Sequence, residues 1–244
     1  AEEVTRAESM VTQGNYIDAL DHYRRASQVD PDNVAILMPY ALLCSHMDMN
    51  NEAIAAARRV LKQRPTEVVA AAAYTTLVEA LRAEGNFKEA NRALEDMLQE
   101  YTSNYAKSVA YYEKAYNLAE MDENLDEALE SAQLALRYSP KELKQFPLAA
   151  LGWVYFKRQD YTNAVDFLSK SADLGPTATN LMHLGMALLE SGQKERARAV
   201  FRKAKSFKAK GAGLEEKILE QIRSSTKLID RLYARRRKAL PPKA

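Results

Sequence analysis

Two similar stretches near the start of the chain decide the fold: QGNYIDALDHYRRASQVDP at residues 13–31 and DMNNEAIAAARRVLKQRP at residues 48–65. Ala19 and Ala53 occupy the same place in the two stretches and lie 34 residues apart. Within each stretch the apolar residues recur at helical spacing, and the proline at its end cannot continue a helix. A repeat of about this length, built from two helices and a turn, is the signature of a helical solenoid.

The same pattern recurs further along the chain, so that six copies are expected in all. Each copy has a short turn followed by an alanine, which is small because the two helices of a hairpin approach closely there. These alanines are Ala19, Ala53, Ala90, Ala128, Ala164 and Ala197. The expected repeats span about 1–33, 34–67, 71–104, 109–142, 145–177 and 178–210. Pro39 lies inside the first helix of the second copy and is expected to delay or kink that helix.

The first helices of the last two copies carry a more specific set of residues. They are Leu148, Leu151, Gly152 and Tyr155 in copy five, and Leu181, Leu184, Gly185 and Leu188 in copy six. With these residues the chain resembles the tetratricopeptide repeat family over residues 1 to about 209. The resemblance implies an all-α, right-handed superhelical solenoid of six helix-turn-helix hairpins. It also implies a non-catalytic scaffold or adaptor for protein–protein interaction, because the first helices of such hairpins line a concave groove that binds peptides.

The resemblance places seven side chains of copies five and six in this groove, where they form an apolar stripe. They are Phe146, Trp153, Phe156, Lys157, Met182, Met186 and Leu189. Large apolar and methionine side chains are suitable anchors for a partner helix or an extended segment. Two alternatives stay open at this point: the chain itself covers the stripe, for example with its C-terminal helix, or the side chains are exposed without a partner.

Copies three and four place a second, polar and net acidic set of side chains in the groove. They are Glu79, Arg82, Glu113, Asn117 and Glu120. Such a set could attract a basic peptide or a Lys/Arg patch of a second protein, or it could be a solvated face. Some family members hold the carboxylate end of chaperone tails in a clamp of lysine, asparagine and arginine side chains. That clamp is absent here, since Thr179 and His183 occupy two of its positions.

The C-terminal part of the chain is strongly basic. Residues 193–244 hold 17 Lys and Arg against 5 Asp and Glu, although the whole chain has a net charge of only +2. A capping helix with a basic tail is expected over 214–240. The alternatives to a scaffold are a regulator that binds nucleic acid or an anionic membrane through this end, and a module that assembles with its own copies. The lack of interleaved aromatic residues and of a bulky apolar face disfavours nucleic acid and membrane as partners.

No catalytic, cofactor-binding or metal-binding residues are expected. His22, His46 and His183 fall in three different repeats, and Cys44 falls on a predicted core position. The sequence contains no glycine-rich phosphate loop and no nucleophile elbow. It begins without methionine, which suggests a trimmed or processed chain. We expect a cytoplasmic location, or a periplasmic one if an N-terminal signal was removed.

Overall fold

A computed structural model describes residues 2–209, which form twelve α-helices and one short 3₁₀ turn, with no strand among them. The first six helices are α1 Glu2–Thr12, α2 Tyr16–Val29, α3 Val34–His46, α4 Asn50–Lys62, α5 Glu67–Ala83 and α6 Phe87–Glu100. The next six are α7 Asn104–Glu120, α8 Leu125–Tyr138, α9 Gln145–Lys157, α10 Tyr161–Leu174, α11 Ala178–Glu190 and α12 Lys194–Ala209. The prediction of an all-α solenoid of helical hairpins is confirmed. The predicted capping helix at 214–240 lies outside the described residues.

The described chain forms two compact units, which are residues 2–76 and residues 77–209. The first unit contains α1 to α4 and the beginning of α5. The second contains the last turns of α5 and all of α6 to α12, in which α7 packs on α8, α9 on α10 and α11 on α12. Every candidate site residue of the sequence lies in the second unit. The repeat boundaries drawn from the sequence stay a prediction.

The six alanines that mark the repeats are all buried. Ala19, Ala53, Ala90, Ala128, Ala164 and Ala197 expose at most 1% of their surface. Each preceding turn has at least one residue with a left-handed backbone, with φ between +49° and +82°; these are Gly14, Asp48, Gly85, Asp122, Asn124, Gln159 and Gly192. This conformation reverses the chain and brings the two helices of a hairpin together. The sequence pattern of a polar turn followed by a small residue is therefore a packing requirement.

Pro39 does not delay its helix, contrary to one of the two expected effects, and the expected kink stays a prediction. Helix α3 begins at Val34 and runs through Pro39 to His46. Its start is fixed by Asn33, whose Oδ1 accepts a hydrogen bond of 2.9 Å from the backbone N–H of Ala35. Most side chains of this helix are buried, Cys44 among them. Burial of so much apolar surface offsets the one backbone hydrogen bond that a proline removes. No helix of the described residues is long and apolar enough to cross a membrane.

Two glycines permit close packing of helices in the second unit. A Cβ atom on Gly185 of α11 would lie 2.4 Å from Cε1 of Phe201 on α12. A Cβ atom on Gly152 of α9 would lie 2.5 Å from Cγ of Leu168 on α10. Neither distance is compatible with an undisturbed neighbour. Gly152 and Gly185, which each follow a leucine in a first helix, are therefore required for the close packing of the two helices in their own hairpins.

We expect Gly185→Ala to lower the free energy of unfolding by about 1–3 kcal/mol, because the new methyl group overpacks the contact with Phe201. This loss exceeds the gain of about 1 kcal/mol that alanine brings to a helix interior. Urea unfolding followed by far-UV circular dichroism measures the change. The paired variant Gly185→Ala with Phe201→Leu should recover part of the loss beyond additivity. A Gly185→Ala protein as stable as the wild type would show that the contact is not tight.

Candidate functional site

The candidate site residues lie on the first helices of successive hairpins in the second unit. Helix α7 packs against α9, and α9 contacts α11. We call the surface shared by the end of α5 and by α7, α9 and α11 the first-helix face. These segments carry all twelve side chains that the sequence singled out, together with Tyr116 and His183. The two sets that the sequence placed in separate parts of a groove thus lie on neighbouring helices.

A buried ion pair occupies the α5–α7 part of this face. Nη2 of Arg82 donates a hydrogen bond of 2.9 Å to Oε2 of Glu113, and Nη1 donates one of 2.9 Å to Oδ1 of Asn117. Asn117 in turn donates from Nδ2 to Oδ1 of Asn91, at 3.0 Å. Glu113 exposes 2% of its surface and Asn117 none. The alternative of a solvated face is therefore wrong for Glu113 and Asn117, which hold three helices together.

The charges of this network shift one another's pKa. Burial raises the pKa of Glu113, and the Arg82 guanidinium opposes that rise. Burial acts to lower the pKa of Arg82, but the Glu113 and Glu79 carboxylates raise it overall, so the guanidinium stays charged. The surrounding protein and the Glu113 charge raise the pKa of Glu79, against the effect of Arg82. Glu79 itself is open to solvent. It is an exposed acidic group beside the buried Arg82–Glu113 ion pair.

Aromatic rings connect the two parts of the face. Cζ of Arg82 lies 5.7 Å from the centre of the Tyr116 ring, and that ring lies 6.1 Å from the His183 imidazole. His183 stacks on Trp153 with ring centres 3.9 Å apart, and Trp153 stacks on Phe156 at 4.9 Å. The Arg82 guanidinium of α5 and the rings of α7, α11 and α9 therefore form a continuous series. Such stacks fix side chains in single orientations.

Trp153 is part of the protein interior. It exposes 5% of its surface, and its Nε1 donates a hydrogen bond of 2.7 Å to Oε1 of Glu120 on α7. Nζ of Lys157 lies 5.5 Å from the centre of the Trp153 ring. Met186 packs against the same apolar cluster. The expectation that Trp153 forms part of an open apolar stripe is wrong, because neighbouring side chains already cover the ring.

His183 lies among the side chains of the first-helix face, where the sequence placed it only as a residue that departs from the carboxylate clamp. Its Nδ1 is buried and has no hydrogen-bond partner in the described structure. Burial lowers the pKa of His183 to about 4, and the positive charges of Arg82 and Lys157 contribute to that shift. The imidazole is therefore neutral at neutral pH. The sequence signal for this position is that His183 follows Met182 on a first helix. That signal is weak, because no second histidine lies nearby to suggest a site.

The start of α11 is held by a capping box. Oγ1 of Thr177 accepts a hydrogen bond of 3.0 Å from the backbone N–H of Asn180, and Oδ1 of Asn180 accepts one of 2.7 Å from the backbone N–H of Thr177. Asn180 also donates from Nδ2 to Oγ of Ser171, at 3.0 Å. Reciprocal capping satisfies backbone donors that a helix start leaves unpaired. It fixes α11 against α10 and thereby places the side chains of α11 on the first-helix face.

Three apolar side chains of the predicted stripe remain open to solvent. Phe146 is 39% exposed, and Met182 and Leu189 are each 46% exposed. Phe156, Lys157 and Met186 are half-buried. Phe146 stacks on Tyr112 of α7 with ring centres 5.8 Å apart, so its remaining surface is held in place. The part of the stripe available for contact is therefore carried by Met182, Leu189 and the outer side of Phe146.

The described side chains contain no cluster suited to a metal ion. Among residues 2–209, no group of three His, Cys, Asp or Glu side chains is arranged to hold one. Cys44 is buried, and burial raises the pKa of its thiol to about 11, which keeps it protonated at neutral pH. The polar groups of the first-helix face bond mainly to one another. This arrangement is suited to holding a surface in a fixed shape.

A helical-hairpin array with a preformed surface on its first helices defines the class of repeat proteins that act as interaction scaffolds. Comparison with known families agrees with this assignment. The tetratricopeptide repeat matches at residues 10–77 and again at residues 149–212, which is together more than half of the chain. The chain belongs to the tetratricopeptide repeat family. Members of this family are typically non-enzymatic and generally bind protein partners.

Solved structures with the same fold share little sequence with this chain. A thermophilic tetratricopeptide protein of Thermus thermophilus is 19% identical, with a TM-score of 0.55, over 77% of this chain and 98% of that one. The type IV pilus biogenesis factor PilW is 14% identical, with a TM-score of 0.59, over 84% and 91%. The apo form of RapI is 13% identical, with a TM-score of 0.59, over 85% and 97%. No curated protein matches the chain. These likenesses establish the fold alone.

Proposed function

We propose that this protein is a non-catalytic scaffold that binds a peptide or helix of a partner protein on its first-helix face. The contact is made by Met182 and Leu189 of α11 and by Phe146 of α9, with the half-buried Phe156 and Met186 on the same two helices. The packed rings and the buried ion pair keep this surface rigid before the partner arrives. Preorganisation of this kind lowers the entropy cost of binding.

One observation supports this proposal above the others. The described residues contain six large apolar side chains that are exposed: Ile17, Val29, Phe146, Leu174, Met182 and Leu189. Three of the six lie on α9 and α11, which contact each other. Scattered apolar residues on a surface are ordinary, but a concentration on two adjacent helices indicates a contact surface. Methionine and aromatic side chains are also common anchors at interfaces.

The test uses random peptides displayed on phage and selected on the full chain. A labelled synthetic copy of an enriched peptide is then titrated with the protein, and its affinity is measured by fluorescence anisotropy. We expect the double variant Met182→Gln with Leu189→Gln to bind the peptide at least about tenfold more weakly, because both apolar anchors are lost. Both side chains are already half open to solvent, so stability should change by no more than about 0.5 kcal/mol each.

The control is Leu174→Gln, which removes an apolar side chain from α10 that is 59% exposed. This variant should bind like the wild type at both low and physiological salt. A peptide that binds the double variant and the wild type equally would place the binding surface elsewhere. Binding that disappears at physiological salt and does not depend on Met182 or Leu189 would instead support the alternative of a regulator acting through the basic C-terminal residues.

A further inference from the structure

We propose that the partner segment carries a lysine or arginine close to aliphatic or methionine side chains. This inference rests on the proposed function and adds the chemistry of the partner. The cation would lie against the carboxylates of Glu79 and Glu120, and the apolar side chains would lie against Met182 and Leu189. The partner is thus a basic, apolar protein segment.

The first reason is that the positive charges near the two carboxylates are already in use. Residues 77–83 of α5 and helix α7 contain three cations, and each contacts another side chain. Arg82 pairs with Glu113 at 2.9 Å, Lys107 lies over the Tyr138 ring at 5.4 Å, and Lys114 pairs with Glu127 at 2.7 Å. The partners of Lys107 and Lys114 both lie on α8. Arg82 also lowers the pKa of Glu79 by its charge, but its guanidinium donates its hydrogen bonds to Glu113 and Asn117, so neither Glu79 nor Glu120 has a cation of its own in these two segments.

The second reason is the state of the two carboxylates themselves. Both side chains are exposed, and neither forms an ion pair with a described residue. Glu120 accepts a hydrogen bond from Trp153 at Oε1, which orients the group and leaves Oε2 for a ligand. Glu79 lies near the buried Glu113 carboxylate, whose charge is unfavourable to it. A cation brought by a partner would relieve that repulsion, whereas an anionic partner would increase it.

The third reason is where the acidic side chains and Lys157 lie relative to the apolar side chains of the first-helix face. Glu120 bonds directly to Trp153, and Tyr116 and Met186 both pack against the apolar cluster that contains Trp153. The acidic and apolar parts therefore adjoin. Lys157 lies at the apolar part, where its ammonium group is held over Trp153. It would repel a second cation there, so the basic residue of the partner is directed to Glu79 and Glu120 on α5 and α7.

The experiment begins with the peptides selected by display on the wild-type chain. The enriched sequences should contain a lysine or arginine within a few residues of an aliphatic or methionine residue. A synthetic peptide with that sequence should bind the variant Glu79→Gln with Glu120→Gln about tenfold more weakly than the wild type. The control variant Glu95→Gln with Glu130→Gln makes the same change in net charge on α6 and α8, and should bind normally.

A second peptide, in which the basic residue is replaced by glutamine, separates a specific contact from a general charge effect. It should bind the wild type about tenfold more weakly, and the Glu79→Gln, Glu120→Gln variant should lower its affinity no further. The inference is overturned if the Glu79→Gln, Glu120→Gln variant lowers the affinity for both peptides equally. It is also overturned if the selection enriches acidic or uncharged sequences. In that case the proposed function stands if the peptide still depends on Met182 and Leu189. Selection that enriches no sequence overturns both.

Discussion

Replacing Arg82 with alanine should lower the free energy of unfolding by about 3–5 kcal/mol, which is the usual cost of removing one partner of a buried ion pair. The Glu113 carboxylate exposes only 2% of its surface and would lose its counter-ion. Asn117 would also lose the donor that binds its Oδ1. Urea unfolding at neutral pH, followed by circular dichroism and by the fluorescence of Trp153, measures the loss.

The pH dependence of this loss identifies its cause. Burial raises the pKa of Glu113, and Arg82 is the main group that opposes the rise. Without Arg82 the pKa of Glu113 in the folded state should lie well above its pKa in the unfolded state. The destabilisation therefore appears as pH rises above the unfolded-state pKa, and it fades as pH falls through the folded-state pKa. The deficit should therefore be smaller at about pH 5 than at about pH 7. A deficit that does not change with pH would contradict a role for the uncompensated carboxylate.

A double variant is the matched control. Replacing Arg82 with methionine and Glu113 with leucine removes both charges and keeps the space filled. Exchange of a buried ion pair for apolar residues of similar size is often neutral or stabilising, so this protein should be far more stable than Arg82→Ala. If the double variant is as unstable as the single one, the volume of the side chains and not their charge accounts for the loss.

The hairpin architecture could be predicted because its determinants are local and repeated. A small residue such as Ala53 follows a turn residue such as Asp48 in every copy, and both requirements come from the geometry of a single hairpin. The resemblance to a known family then identified the helices that carry the candidate site. All the predicted site residues lie on α5, α7, α9 and α11, as expected.

The degree of burial at the site could not be predicted in this way. The contacts that cover Glu113 and Trp153 join side chains of different repeats, which are 31 residues apart for Arg82 and Glu113 and 33 for Glu120 and Trp153. Helical periodicity shows which side of its own helix a residue occupies. It does not show which side chain of the next repeat will contact it. A polar partner about one repeat away in the sequence is the signal that would have indicated these pairs.

Replacing Trp153 with alanine should destabilise the second unit by about 3–5 kcal/mol, as expected for loss of a buried aromatic side chain. The ring lies against His183 and Phe156, and its Nε1 satisfies one oxygen of Glu120. Trp153→Phe should cost less, because a ring can still stack there while only the hydrogen bond of about 1.5–3 kcal/mol to a charged acceptor is lost. Unfolding by urea, followed by circular dichroism, gives both values.

This result determines how binding experiments on the face are interpreted. Because loss of Trp153 removes the packing that supports α9 and α11, weaker binding by Trp153→Ala follows from either a lost contact or a disturbed surface. Met182→Gln and Leu189→Gln separate the two causes, since both side chains are 46% exposed and their loss should leave stability within about 0.5 kcal/mol of the wild type. If Trp153→Ala costs less than about 1 kcal/mol, the ring is not part of the core, and its role as a direct anchor for the partner is restored.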